Sequence, residues 1–155
     1  MSESLVIIEG TKEEQYQNIL PQIKALLDGE TDMIANMANI ASALNMQFRW
    51  WWTGFYIVKN NELVLGPFQG PVACTRIRKG RGVCGTAWQE EKTMIVEDVN
   101  KFPGHIACSA DSKSEIVVPV FKNNEVIAVL DADSEHYAHF DATDKKYLEE
   151  IVKLL

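Results

Sequence analysis

With 155 residues, 46% of them hydrophobic and 24% charged, the chain carries enough apolar material for one globular core and too little length for two comfortable ones. No apolar run approaches the roughly 20 residues that cross a bilayer, and a net charge of -7 with no block of Lys or Arg excludes the concentrated positive face that nucleic acid demands. The amino terminus, from Met1 to Lys12, lacks the basic start and small-residue cleavage site of a secretory leader, so the expected compartment is the cytoplasm, where thiols are kept reduced.

In chain order, Thr11 followed by Glu14 has the form of a capping box. Tyr16, Ile19, Leu20, Ile23, Leu26 and Leu27 then recur at helical spacing up to Gly29. Pro21 inside that run predicts a kink or a break. A second helix is predicted from Thr31-Asp32 toward Asn45, with Met33, Ile34, Met37, Ile40, Ala41 and Leu44 on its apolar side. From Trp50 the pattern turns to short β-rich runs. Strands are predicted over 52–58 and 62–65 around an Asn60-Asn61 turn, then over 72–77 and 93–96, with a short helix over 82–90 between the last two. Residues 97–113 form a long polar loop, of a length more often functional than decorative in a compact domain. The clearest hairpin pairs 116–122 with 125–132 around Asn123-Asn124, and a terminal helix runs from Asp141 or Thr143 to Leu155. Helices, about six antiparallel strands and a closing helix define a single α+β domain over 1–155.

The chemistry-bearing residues are three cysteines and three acids. Cys74, Cys84 and Cys108 sit among glycine, proline and charged residues, which predicts bent backbone and reachable sulfurs. Their number is odd, and no pair shows the short gap of a zinc knuckle or a thioredoxin-type loop. Redox chemistry on separated thiols and inert buried cysteine are both open. A zinc site of the three cysteines with His105 is a further reading, weakened by the spacing. The stretch Arg76–Arg81 is either a solvated loop or an electropositive rim that lowers a thiol pKa. His105 is either a base assisting Cys108 or a surface histidine of the polar loop.

Asp131 and Asp133 occupy alternate positions of a strand, so both side chains project from one face, and pairing across the Asn123-Asn124 turn brings Glu115 toward them. Three converging acids repel, so at least one holds a proton at neutral pH unless a cation binds. Such a pocket suits an ammonium group or a general acid. Solvated residues at a strand end, and a divalent metal, are the alternatives. The row Trp50-Trp51-Trp52 with Phe55 and Tyr56 adds aromatic surface, and alternation along a strand prevents all three indoles from facing one core.

Taken together, Trp52-Thr-Gly-Phe-Tyr56, Leu65-Gly-Pro-Phe-Gln-Gly, Ala73-Cys74, Gly80-Arg-Gly-Val-Cys84-Gly, His105-Ile-Ala-Cys108, Ser114-Glu115-Ile-Val-Val-Pro and Leu130-Asp131-Ala-Asp133-Ser resemble the free methionine-R-sulfoxide reductases, built on a standalone GAF domain. The likeness runs from the first helix to the last. It implies a six-stranded antiparallel sheet flanked by helices, and free methionine-R-sulfoxide as substrate. It further implies Cys108 as catalytic cysteine, Cys74 as the cysteine resolving it through a disulfide, and Cys84 as a third thiol able to join the exchange. By the same resemblance Glu115, Asp131 and Asp133 hold the substrate and polarise the sulfoxide, and Trp52 and Tyr56 wall the pocket. No bound cofactor or metal is implied; thioredoxin is the electron donor, and a homodimer is a possible assembly. A ligand-sensing GAF module and a redox-sensing interaction protein are the competing readings.

Overall fold

The computed structural model describes residues 4–106 and 108–155. Residues 1–3, on which the reading of the amino terminus partly rests, and Ala107 of the cysteine loop lie outside them. Helix α1, Lys12–Leu27, opens with the expected capping box, in which the Thr11 side chain and Glu14 satisfy each other's backbone N–H groups. It runs through Pro21 without a break. Pro21 and Gln17, whose carbonyl loses its helical donor, are both exposed, so the lost bond falls on the solvent side of the helix, where it costs least. Helix α2, Met33–Phe48, starts at an Asp32 cap and extends beyond the expected end to a left-handed Arg49.

The sheet comprises β1 (Trp52–Lys59), β2 (Glu62–Gln69), β3 (Arg76–Arg78), β4 (Met94–Val96), β5 (Ser114–Lys122) and β6 (Glu125–Ser134), interrupted by α3 (Gly82–Glu90) and closed by α4 (Ala142–Val152). Its order is β3-β2-β1-β6-β5-β4, antiparallel throughout. Both Asn-Asn pairs turn as expected, with positive φ at Asn60, Asn61, Asn123 and Asn124, the geometry that matches a hairpin to strand twist.

Two predicted strands differ. β2 runs on to Gln69 because Gly66-Pro67 fall where the register with β1 slips between Gly54 and Tyr56, and a bulge tolerates a residue that cannot donate. The strand expected over 72–77 is confined to Arg76–Arg78. Pro71 cannot enter a ladder as donor, and side chains take the backbone carbonyls instead: Trp52 Nε1 donates to Pro71 O at 3.1 Å and Tyr56 Oη to Cys74 O at 2.9 Å. Helix α4 stops at Val152, short of the expected Leu155.

Alternation along the central strands sends two sets of side chains to opposite faces. Phe55, Ile116, Val118, Leu130 and Ala132 pack with α1, α2 and α4 in the larger core. Trp52, Tyr56, Val117 and Val129 pack with α3 in the smaller one. Burial of full-sized side chains at about 25 cal/mol per Å² makes the larger core the main source of stability.

Candidate active site

On the α3 face the strand ends and two loops enclose a cleft with about 630 Å³ of empty space, part of it open to solvent. Its floor is built by register. Trp52 lies opposite Asp133, Gly54 opposite Asp131, and Glu115 opposite Asp133 across the other side of β6. Glu115, Asp131 and Asp133 all line the cleft. Glu115 and Asp131 are each 6% exposed, so they are not solvated strand ends. Gly54 belongs to the design, since a Cβ there would lie 2.7 Å from the Trp52 ring and 2.3 Å from Phe68 Cβ. A glycine in the middle of a central strand signals such a close approach.

Burial pushes all three acids up, and the charges of neighbouring acids add to it at Glu115 and Asp131. Glu115 is raised to about 8, chiefly by burial and then by Asp133. Asp133 is raised to about 6 by burial, opposed by a 2.8 Å hydrogen bond from Ser112 Oγ. Asp131 is raised well above its usual range by burial and by the charges of Asp133 and Glu115, and its Oδ1 has no hydrogen-bond partner among the described residues. At neutral pH the cluster therefore holds protons and keeps an unfilled acceptor, which is what a site for a cation or a proton donor requires.

Above the acids lies the sulfur chemistry. Cys74 and Cys108 form a disulfide with Cα atoms 5.5 Å apart, linking positions 34 residues apart. The pairing implied by the resemblance is thus formed. Cys108 is exposed and lines the cleft, while Cys74 is half-buried. The loop carrying Cys108 is tied down by Trp51 Nε1 donating to Ser109 Oγ at 3.3 Å, and by Val99 N to Lys113 O and Lys113 N to Ser134 O. Near its start the loop makes a 3-10 turn, Val99–Lys101.

Cys84 corrects the expectation that all three sulfurs are reachable. It is 4% exposed, inside α3, with Sγ 3.8 Å from Glu115 Oε1. The glycines beside it are not loose. A Cβ at Gly85 would come within 2.5 Å of the Arg78 carbonyl, and Gly82 takes φ 59 against Ile106, so they allow α3 to approach β3 and the cysteine loop. Burial and the surrounding acids raise the Cys84 thiol well above its usual range, the opposite of an electropositive activation. In the basic stretch, Arg76 pairs with Glu62 at 2.7 Å and Lys79 lies over the Trp88 ring, leaving Arg81 at the cleft. With Cys74 and Cys108 joined to each other, a zinc site of three cysteines and His105 is not formed. His105 does line the cleft, half-buried and with its pKa lowered by that burial, rather than standing on the open surface.

The three tryptophans divide. Trp50 enters the larger core, stacked on Phe48 at 4.7 Å. Trp51 and Trp52 line the cleft, and Trp52 stacks between Tyr56 and Phe68 at 5.8 and 5.2 Å. Sequence reasoning missed Ser112, which comes to Asp133 through the path of a long loop and leaves no local signal.

An α+β sheet of this order with a ligand cleft on the α3 face defines the class. The chain belongs to the GAF-domain family, whose model matches residues 29–155. Within it, the chain is closely related to free methionine-R-sulfoxide reductases. It is 43% identical to the free methionine-R-sulfoxide reductase of Saccharomyces cerevisiae, over 93% of this chain and 85% of that protein. The crystal structure of the Neisseria meningitidis free methionine-R-sulfoxide reductase in complex with its substrate superposes with a TM-score of 0.96 at 52% identity, covering 99% of this chain and 93% of that one. The GAF domain-containing protein A of Dictyostelium discoideum is 64% identical over 100% of this chain and 99% of that protein.

Proposed function

We propose that the protein reduces free methionine-R-sulfoxide to methionine with its own thiols, in the cytoplasm, as a single GAF-like domain recycled by thioredoxin. The observation that carries this reading is the placement of the Cys74–Cys108 pair over a floor of three protonatable acids in one cleft, Glu115 and Asp131 buried and Asp133 half-buried. In the reduced protein the Cys108 thiolate attacks the sulfoxide sulfur while a protonated carboxyl of the cluster donates to the sulfoxide oxygen. The oxygen passes to Cys108 as a sulfenic acid, two electrons pass to the methionine sulfur, and the thioether leaves. The Cys74 thiol then condenses with the sulfenic acid, releasing water and forming the disulfide. A dithiol such as thioredoxin returns two electrons and two protons.

The acids also account for substrate class. The α-ammonium of a free amino acid neutralises the carboxylate that remains charged and fills the vacant Asp131 acceptor. A methionine within a peptide lacks that group, and burying the acids without it costs several kcal/mol. Trp52 and Tyr56 form the wall for the thioether side chain.

Turnover stoichiometry tests the division of labour between the cysteines. Cys108→Ser is expected to abolish reduction, and Cys74→Ser to give at most one methionine per chain with thioredoxin as the reductant. Multiple turnovers by Cys108→Ser would remove the assignment.

A further inference from the structure

We propose that Cys84, Glu115 and Asp131 form a three-ligand site for a thiophilic divalent cation of the Zn2+ type at the floor of the cleft. One donor atom from each lies within 4.8 Å of the others, and all three residues are buried. They come from three elements, α3, β5 and β6, so the set is held by the packed sheet rather than by a loop. With metal–sulfur bonds of about 2.3 Å and metal–oxygen bonds of about 2.0–2.2 Å, a tetrahedral ion places its donors roughly 3.5 Å apart. The 3.8 Å separation of Cys84 Sγ and Glu115 Oε1 is already near that value. The second, independent sign is Asp131 itself: its side chain is buried, it lines the cleft, and its Oδ1 has no partner among the described residues. A lone pair left dry in this way is an acceptor awaiting a cation.

The donor set selects the metal. A thiolate with two carboxylates suits Zn2+ and its analogue Co2+, and is unsuited to Mg2+ and Ca2+, which take oxygen ligands only. The fourth position faces the cleft, where water completes the shell. Binding replaces the proton on Cys84 Sγ with the metal and expels those on the two carboxyls, so protons are released and affinity rises with pH. Occupancy excludes a substrate ammonium from the same acids. That consequence rests on the proposed reductase reading; the binding of the metal does not.

The test uses tag-free protein in its Cys74–Cys108 disulfide form, in which Cys84 is the free cysteine, titrated with Co2+ and followed by absorption. A thiolate-to-cobalt charge-transfer band in the near ultraviolet is expected, saturating at one metal per chain, bleached by Zn2+ and untouched by excess Mg2+. Cys84→Ser and Cys84→Ala are expected to lose the band with far-ultraviolet circular dichroism unchanged, and Asp131→Asn to weaken Co2+ binding at least about tenfold. Absence of the band in the unsubstituted chain would overturn the proposal, as would its survival in either Cys84 variant. Co2+ absorption without a sulfur band, the result expected if the metal sat at His136 and His139, whose rings lie 6.1 Å apart, would overturn it as well. Because no turnover is involved, an inactive protein can pass this test and an active reductase can fail it.

Discussion

Asp144 and Asp131 are both buried aspartates on opposite faces of one sheet, and their surroundings differ in kind. Asp144, 0% exposed, accepts from Lys12 Nζ at 2.6 Å, Tyr16 Oη at 2.7 Å and the Asp141 backbone N–H at 2.9 Å. Asp131 lies among two other acids and a thiol, with one oxygen lacking any partner among the described residues. The first arrangement satisfies a buried charge and locks α1 to α4. The second leaves the cost of burial standing, and the larger core carries it. The helix face thus supplies stability and the α3 face spends a little of it on a poised site, as active sites commonly do.

Substitutions at the two aspartates sharpen that contrast. Asp144→Ala removes the N3 half of the α4 capping box and leaves the buried Tyr16 phenol without its acceptor, while Lys12 keeps Asp141 at 3.3 Å and the His139 carbonyl at 2.8 Å; it is expected to lower unfolding free energy by about 2–3 kcal/mol in urea titrations. Asp131→Asn is expected to leave stability at pH 8 unchanged or higher, while kcat/KM for free sulfoxide falls about 10- to 100-fold, corresponding to one charged hydrogen bond. Comparable destabilisation by both would erase the distinction between the faces.

The same difference fixes a pH dependence. Glu115 and Asp133 have folded pKa values of about 8 and about 6 against ordinary values of 4.5 and 3.8, so between these limits the folded state binds more protons than the unfolded one. Their contribution is fully present below about pH 4 and is lost as pH rises toward about 8. Stability followed from pH 5 to pH 8 is expected to decline from this source, and Glu115→Gln to flatten the decline; a slope unaffected by that substitution would place the titration elsewhere. The smallest effect is expected at Lys24→Ala. Its ion pair with Glu150 spans 3.9 Å between half-exposed side chains, and its loss is expected to move the unfolding free energy by less than about 0.5 kcal/mol.

What the sequence made legible follows from how local each signal is. The Thr11–Glu14 capping box, the two Asn-Asn turns and the period-2 strands are written in adjacent residues, and each formed as expected. The convergence of Glu115 with Asp133 followed from alternation plus one hairpin register. The strand expected over 72–77 did not form in full, because its competitors, the indole of Trp52 and the phenol of Tyr56, come from a distant strand. Cys84 departs from its expected exposure for a related reason. Glycine reads as looseness in a sequence, whereas here it permits α3 to pack closely. Trp50, Trp51 and Trp52 are one motif in the chain and two environments in the fold.

Thioredoxin-coupled oxidation of NADPH, measured with the separate R and S epimers of free methionine sulfoxide and with the N-acetylated R form, tests the central claim that a thiol pair and an ammonium-binding acid floor act as one site. Turnover on the free R epimer, with the S epimer and the acetylated form inert, is the predicted result. Equal rates on free and acetylated substrate would contradict the role of the acids, and no turnover on any form would contradict the reductase reading itself.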